Sequence, residues 1–170
     1  MSLPPPYDRL GLSELEGESG LFRVESVSRL EVSLGGRPMP AGNCISYALT
    51  RSHPQNHLHW LAGDDSHVLI DGGPADYYQF FPNGRVERQR MGRALDRGEC
   101  LIVTTPGDCW KAVRLDPEAD FLLVGSVVTP AWAPDRVRVG AGQAFVDRYA
   151  GAADWARPEF LKELIGPNFG

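Results

Sequence analysis

The chain has 170 residues, with 17 Lys and Arg against 22 Asp and Glu and a formal net charge of −5. This balance supplies no basic stripe for a phosphate backbone, so nucleic acid is excluded as a partner. No apolar run approaches the roughly 20 residues that cross a bilayer, and Met1 to Pro6 lacks the charged and apolar regions of a signal peptide, so a soluble cytoplasmic protein with no membrane partner is expected.

Taken in order, the opening prolines predict an extended arm, and the amphipathic stretch 7–15 predicts one or two helical turns. From Leu21 the apolar period changes to two. Short strand-like runs follow at 21–28, 29–34, 44–50, 57–61, 66–70, 75–81, 85–90, 100–104, 111–115 and 121–128. Gly35-Gly36, Gly72-Gly73-Pro74, Pro82-Asn83-Gly84, Pro106-Gly107 and Asp116-Pro117 punctuate them, and Asn83-Gly84 is a strong hairpin signal. Many short strands without βαβ alternation predict an all-β sandwich or barrel. Only 143–149 and 158–165 read as helical, the latter with Pro158 suited to a first turn. The organisation is therefore an N-terminal arm and short helix (1–18), a barrel (19–140) and a helical tail (141–170). Cys44, Cys100 and Cys109 are widely spaced without a C-x-x-C pair and read as buried free thiols. Cys109 falls beside the expected site.

His57 and His59 stand one residue apart, with Asp64 and Asp65 just downstream. On a regular strand, residues i and i+2 share a face, so both imidazoles are expected to converge on one spot with a carboxylate arriving from the next turn. Two chemistries stay open. His57, His59 and Asp64 (or Asp65) could ligate one divalent transition metal with positions left for substrate. Alternatively, with no metal, His59 oriented by Asp64 or Asp65 could act as a general base near neutral pH.

The strand order, the His-x-His and the Gly-Pro punctuation together resemble the cupin superfamily, whose fold is a double-stranded β-helix, the jelly-roll barrel. The first cupin motif is similar to His57-Leu58-His59 followed by Asp64-Asp65 and Gly72-Gly73, with an Asp where Glu is usual. The second falls on Thr105-Pro106-Gly107-Asp108-Cys109-Trp110, where the motif's histidine is missing and Trp110 stands near its place. The resemblance narrows to the small cupin-5 family. Glu18-Ser19-Gly20-Leu21-Phe22-Arg23, Cys44-Ile45-Ser46-Tyr47-Ala48-Leu49, His59 to Val68, the Pro82-Asn83-Gly84 hairpin and Leu123-Val124-Gly125 to Pro130 look like its segments in the same order, over about residues 10 to 140.

This resemblance implies a jelly-roll barrel with short helices at both ends, a homodimer, and a cavity for a small molecule. It does not supply a reaction. Sugar epimerases of the cupin type pair a His and an Asp with a Tyr, so the analogy implies His59 as base, Asp64 or Asp65 as its partner and Tyr47 as acid. Trp110 and Arg114 share parity and are expected to line the cavity, as are His67 and Tyr77. The leading reading is a small-molecule enzyme working by proton transfer, as an isomerase, cyclase or lyase. A metal-dependent oxygenase or lyase and a non-catalytic ligand-binding cupin are the alternatives, with a metal cofactor left open.

Overall fold

A computed structural model describes residues 3–170; Met1 and Ser2, at the head of the expected arm, lie outside the described residues. Among the described residues thirteen strands run in the chain order β1 Ser13–Glu14, β2 Leu21–Val27, β3 Glu31–Leu34, β4 Arg37–Pro40, β5 Asn43–Thr50, β6 Gln55–Leu61, β7 Asp64–Gly72, β8 Ala75–Phe80, β9 Val86–Met91, β10 Ile102–Thr105, β11 Cys109–Leu115, β12 Phe121–Thr129 and β13 Val137–Val139. Helices α1 Gln143–Tyr149 and α2 Pro158–Ile165 close the chain. The expected N-terminal helix is a single 3₁₀ turn, Tyr7–Leu10, ended at Gly11 in the left-handed region (φ 63°). Beyond it Ser13–Glu14 joins the sheet edge instead.

Two antiparallel sheets face each other. One has the order β1-β2-β5-β12-β7-β10, the other β13-β6-β11-β8-β9, while β3 and β4 form a separate hairpin. This is the expected all-β jelly roll with short terminal helices. The Asn83-Gly84 turn links β8 to β9, with Gly84 at φ 88°, a conformation open to glycine without steric cost.

Alternation along each strand sorts side chains between the inside and the two outer faces. Leu49, Leu69, Tyr77, Met91, Val113, Leu115, Leu122 and Val124 fill one end of the barrel. Burial on this scale contributes roughly 1.5–3 kcal/mol per large side chain and closes that end. Outside the five-stranded sheet, Phe145, Tyr149, Leu161, Leu164 and Ile165 of α1 and α2 pack on Leu58, Tyr78, Phe80 and Ala112. The N-terminal arm covers part of the other sheet through Leu3 against Ala48 and Leu123. Among the described residues no helix is long and apolar enough to cross a membrane.

Candidate active site in the barrel cavity

At the unfilled end the inward rows turn polar. β7 carries Asp65 and His67 where it later carries Leu69, β12 carries Ser126 after Val124, and β11 carries Lys111 before Val113. These residues, with Tyr47, Asn56 and His59, form the floor of a cavity of about 310 Å³. Phe22, Val24, Ile45, Leu61, Val128, Val137 and Val139 line it as apolar walls, and Trp132, 49% exposed, stands at its rim. An apolar cleft with a few convergent polar groups is the usual form of a small-molecule site.

Lys111 is the centre of the floor, although only 3% exposed. Its ammonium donates to Asp65 Oδ2 and, at 3.0 Å, to His67 Nε2. Ser126 Oγ donates to Asp65 Oδ1 at 2.9 Å. Since an ammonium only donates, His67 Nε2 accepts, and its Nδ1 carries the hydrogen directed at Tyr77 Oη, 2.9 Å away. The Tyr77 hydroxyl passes its own hydrogen to Met91 Sδ at 3.5 Å. Burial, followed by the Lys111 charge, pushes the His67 imidazole below its ordinary value against the pull of Asp65, which agrees with a neutral ring. Burial would push the Asp65 carboxyl up, but the charges of Lys111 and His67 and their hydrogen bonds outweigh it and hold the group well below the usual carboxylate range.

His59 faces this network from the adjacent strand, directly opposite Lys111 in the β6–β11 register. It is 2% exposed. Its Nδ1 lies 2.9 Å from the His57 carbonyl, which can only accept, so Nδ1 carries a hydrogen and, in the neutral ring, Nε2 carries the lone pair. Glu18 Oε2 stands 3.6 Å from that nitrogen. The Glu18 segment is tied to β6, since its carbonyl accepts from His57 N at 2.6 Å and Asn56 Nδ2 at 3.3 Å. Gly20, at φ 98°, lets the segment pass over Tyr47, where an added Cβ would fall 2.2 Å from the hydroxyl.

Several expected residues therefore lie elsewhere. His57 and His59 do not share a face, because the register shifts between Lys111 and Val113. His59 pairs with Lys111 but Asn56 pairs with Val113, so residues 57 and 58 oppose Ala112 alone, a β-bulge. Asn56 and His59 both enter the cavity, while His57 turns toward Gln55 Nε2 (2.9 Å) and packs over Gly166. Asp64 is exposed, and its Oδ1 accepts from Gly107 N at 2.7 Å, so it holds a turn. Trp110 lies on the outer face against Phe145, with ring centroids 5.7 Å apart. Arg114 also lies outside, 3.1 Å from Glu163 and stacked over Phe160. Cys109 is buried outside the cavity lining, where burial raises its thiol. Tyr77 buttresses His67 from behind. Tyr47 lines the cavity, but its hydroxyl donates to the Ser19 carbonyl at 2.7 Å; burial and the Glu18 charge push it well above its ordinary value, which makes it a poor acid. Asp65 and His67 lie in the cavity as expected, although Asp65 serves Lys111 rather than His59.

A metal ion does not fit the expected ligand set. His57 and Asp64 point away, and the two donors that converge, His67 Nε2 and Asp65 Oδ2, are both directed at the Lys111 ammonium. Among the described residues no three His, Cys, Asp or Glu side chains form a group that could hold one.

A closed jelly roll with a polar-floored cavity between its sheets defines a small-barrel cupin. The family profile described as Cupin superfamily (DUF985), Cupin_5, matches residues 7–139, and the chain belongs to that family. Among solved structures it is similar to a protein from Shewanella oneidensis, with 19% identity and a TM-score of 0.76 over 99% of both chains. A hypothetical protein from Leishmania major has 24% identity and a TM-score of 0.72 over 81% of this chain and 86% of the other. Oxalate decarboxylase from Bacillus subtilis has 15% identity and a TM-score of 0.52, over 76% of this chain and 30% of the enzyme. These likenesses concern the fold alone. Among curated proteins none matches the chain.

Proposed function

We propose that the cavity catalyses a proton transfer at a carbon beside a carbonyl group of a small organic molecule, an isomerisation in chemical class. The observation that carries this reading is the pairing of two functions on neighbouring strands. His59 Nε2 is the ring nitrogen left free by the Nδ1 contact to the His57 carbonyl, and in the neutral ring it offers a lone pair. Lys111 brings its ammonium in from the directly opposed position. Directly opposed residues in an antiparallel pair have Cβ atoms about 4.5–5.5 Å apart, so the two side chains enter the cavity side by side.

In the proposed step the carbonyl oxygen accepts a hydrogen bond from Lys111. His59 Nε2 removes a proton from the neighbouring carbon, the C–H electron pair becomes a C–C double bond, and the carbonyl π pair moves to oxygen. The enolate oxygen is held by the ammonium, a charge-assisted bond of the stronger kind. The imidazolium forms 3.6 Å from the Glu18 carboxylate, which stabilises it until the same nitrogen returns the proton, on the same face, to a conjugated carbon. No oxidant, reductant or co-reactant is consumed. A positioned base contributes about 10²–10⁴-fold.

The test is deuterium uptake. A panel of small ketones is incubated with the protein in D₂O, and loss of the α-proton signal is followed by NMR. Protein-dependent exchange that falls at least about 100-fold in His59→Gln is the expected result. Binding without exchange across the panel would overturn the proposal in favour of a ligand-binding cupin. A homodimer is proposed alongside it: Val68, Ile70, Ile102 and Val127 are exposed on the outer face of the six-stranded sheet, an apolar patch of the kind a second copy covers. Sedimentation equilibrium of the wild type, with Ile70→Lys and Ile102→Lys as disrupting variants, tests it.

A further inference from the structure

The charge inventory of the cavity narrows the substrate class, resting on the proton-transfer reading above. Lys111 is the one cation among the described lining residues, and no arginine joins it. Three acids line the same space: Asp65 at the floor, Glu18 beside His59, and Glu16 toward the opening. Asp65 consumes the Lys111 charge at contact distance, so the floor has no surplus positive charge for an anion. A carboxylate or phosphate seated on Lys111 would instead face Asp65 and Glu18 in a site screened from water, where like charges cost far more than at the surface. The arginines that could have served an anionic substrate are engaged elsewhere. Arg23 pairs with Glu25, Arg51 with Asp120, and Arg114 with Glu163.

Lys111 nevertheless keeps one donor. An ammonium has three hydrogens, two go to Asp65 and His67, and no third acceptor exists among the described residues. A neutral oxygen can take this hydrogen without adding charge. An ammonium head, which has donors only, cannot accept this hydrogen. The walls above are aliphatic or aromatic, and a volume of about 310 Å³ equals about ten water volumes at about 30 Å³ each. That space suits a ligand of roughly ten to fifteen non-hydrogen atoms.

We infer that the substrate is an uncharged, largely apolar carbonyl compound of this size, inserted carbonyl-first with its apolar body between Phe22, Ile45 and Val139 and its trailing end near Trp132.

Three probes matched in size and shape test it: 4-phenyl-2-butanone, 3-phenylpropanoate and 4-phenylbutylamine. Dissociation constants are measured by ligand-observed NMR at neutral pH, with Val128→Trp, which fills the cavity, as the control for site. The ketone is expected to bind at least about tenfold more tightly than either charged probe, and Val128→Trp should abolish that binding. Glu18→Gln removes one negative charge and should improve 3-phenylpropanoate by about tenfold. Preference of the wild type for the carboxylate or the amine, or failure of the ketone to bind, overturns the inference. So does a carboxylate affinity unmoved by Glu18→Gln. The deuterium-uptake assay is separate. Ketone binding without exchange would sink the proton-transfer reading and leave the ligand class standing, whereas exchange on a charged compound would do the reverse.

Discussion

Replacing Lys111 with Met keeps the length and most of the volume of the side chain but removes its charge. Asp65 then keeps the Ser126 hydroxyl at 2.9 Å, but it loses the ammonium that holds it ionised. Its cheapest escape is to take up a proton. For a carboxyl of ordinary value 3.8, protonation at about pH 7 costs about 4.4 kcal/mol, at about 1.36 kcal/mol per unit. At about pH 5 the same step costs about 1.6 kcal/mol. The first figure falls within the roughly 3–5 kcal/mol expected when one partner of a buried ion pair is deleted. Urea unfolding of wild type and Lys111→Met at the two pH values therefore gives a stability deficit of about 3–5 kcal/mol that shrinks by at least about 1.5 kcal/mol on acidification. Adding Asp65→Asn, which keeps an acceptor for Ser126 without the charge, should recover at least half of the neutral-pH loss. A deficit below about 1 kcal/mol, or one that is the same at both pH values, would refute the assignment of an ionised Asp65 held by Lys111.

Other consequences follow from the same contacts. Gly20→Ala introduces a side chain at φ 98° and within 2.2 Å of the Tyr47 hydroxyl; a loss of about 1–3 kcal/mol is expected from the backbone alone, with part of any further loss recovered in the Gly20→Ala, Tyr47→Phe double variant. Trp110→Ala should cost about 1–3 kcal/mol in thermal or urea unfolding, less than a fully buried indole, because the ring is half-buried on Phe145; affinity for cavity ligands should not change. Folding stability should fall as pH drops below about 6.5. Burial and Lys111 hold His67 below its ordinary 6.5, so in that window the unfolded chain binds a proton that the folded chain refuses, with a slope of up to about 1.4 kcal/mol per pH unit. Asp65, held well below 3.8, extends the loss to lower pH, and His67→Gln should flatten the upper part of the curve.

The fold was legible because its signals are local. Period-two runs, the Asn83-Gly84 hairpin and Pro158 at the start of α2 each write their structure over a few neighbouring residues. The site was legible only where the strands stay regular: parity on β7 correctly joins Asp65 to His67. It failed on β6, since the bulge that separates His57 from His59 is set by pairing with β11, and nothing in the residues 55–61 announces it. Trp110 and Arg114 were assigned the wrong face for a related reason: the inward row of β11 runs through Cys109, Lys111, Val113 and Leu115. A lysine in that otherwise apolar row was the readable clue to the centre of the site. Glu18 reaches His59 through a loop crossing that only tertiary structure creates.

The central claim is that His59 presents an unprotonated Nε2 to the cavity opposite a charged Lys111. Long-range ¹⁵N–¹H correlation spectra of the imidazoles at about pH 7.5, assigned with His59→Gln and His67→Gln variants, read the tautomers directly. The account predicts that His59 and His67 both carry their hydrogen on Nδ1, the form that is the minor one for a free imidazole in water. A hydrogen on Nε2 of His59 would contradict it, because the cavity would then face a donor where the reaction needs a base.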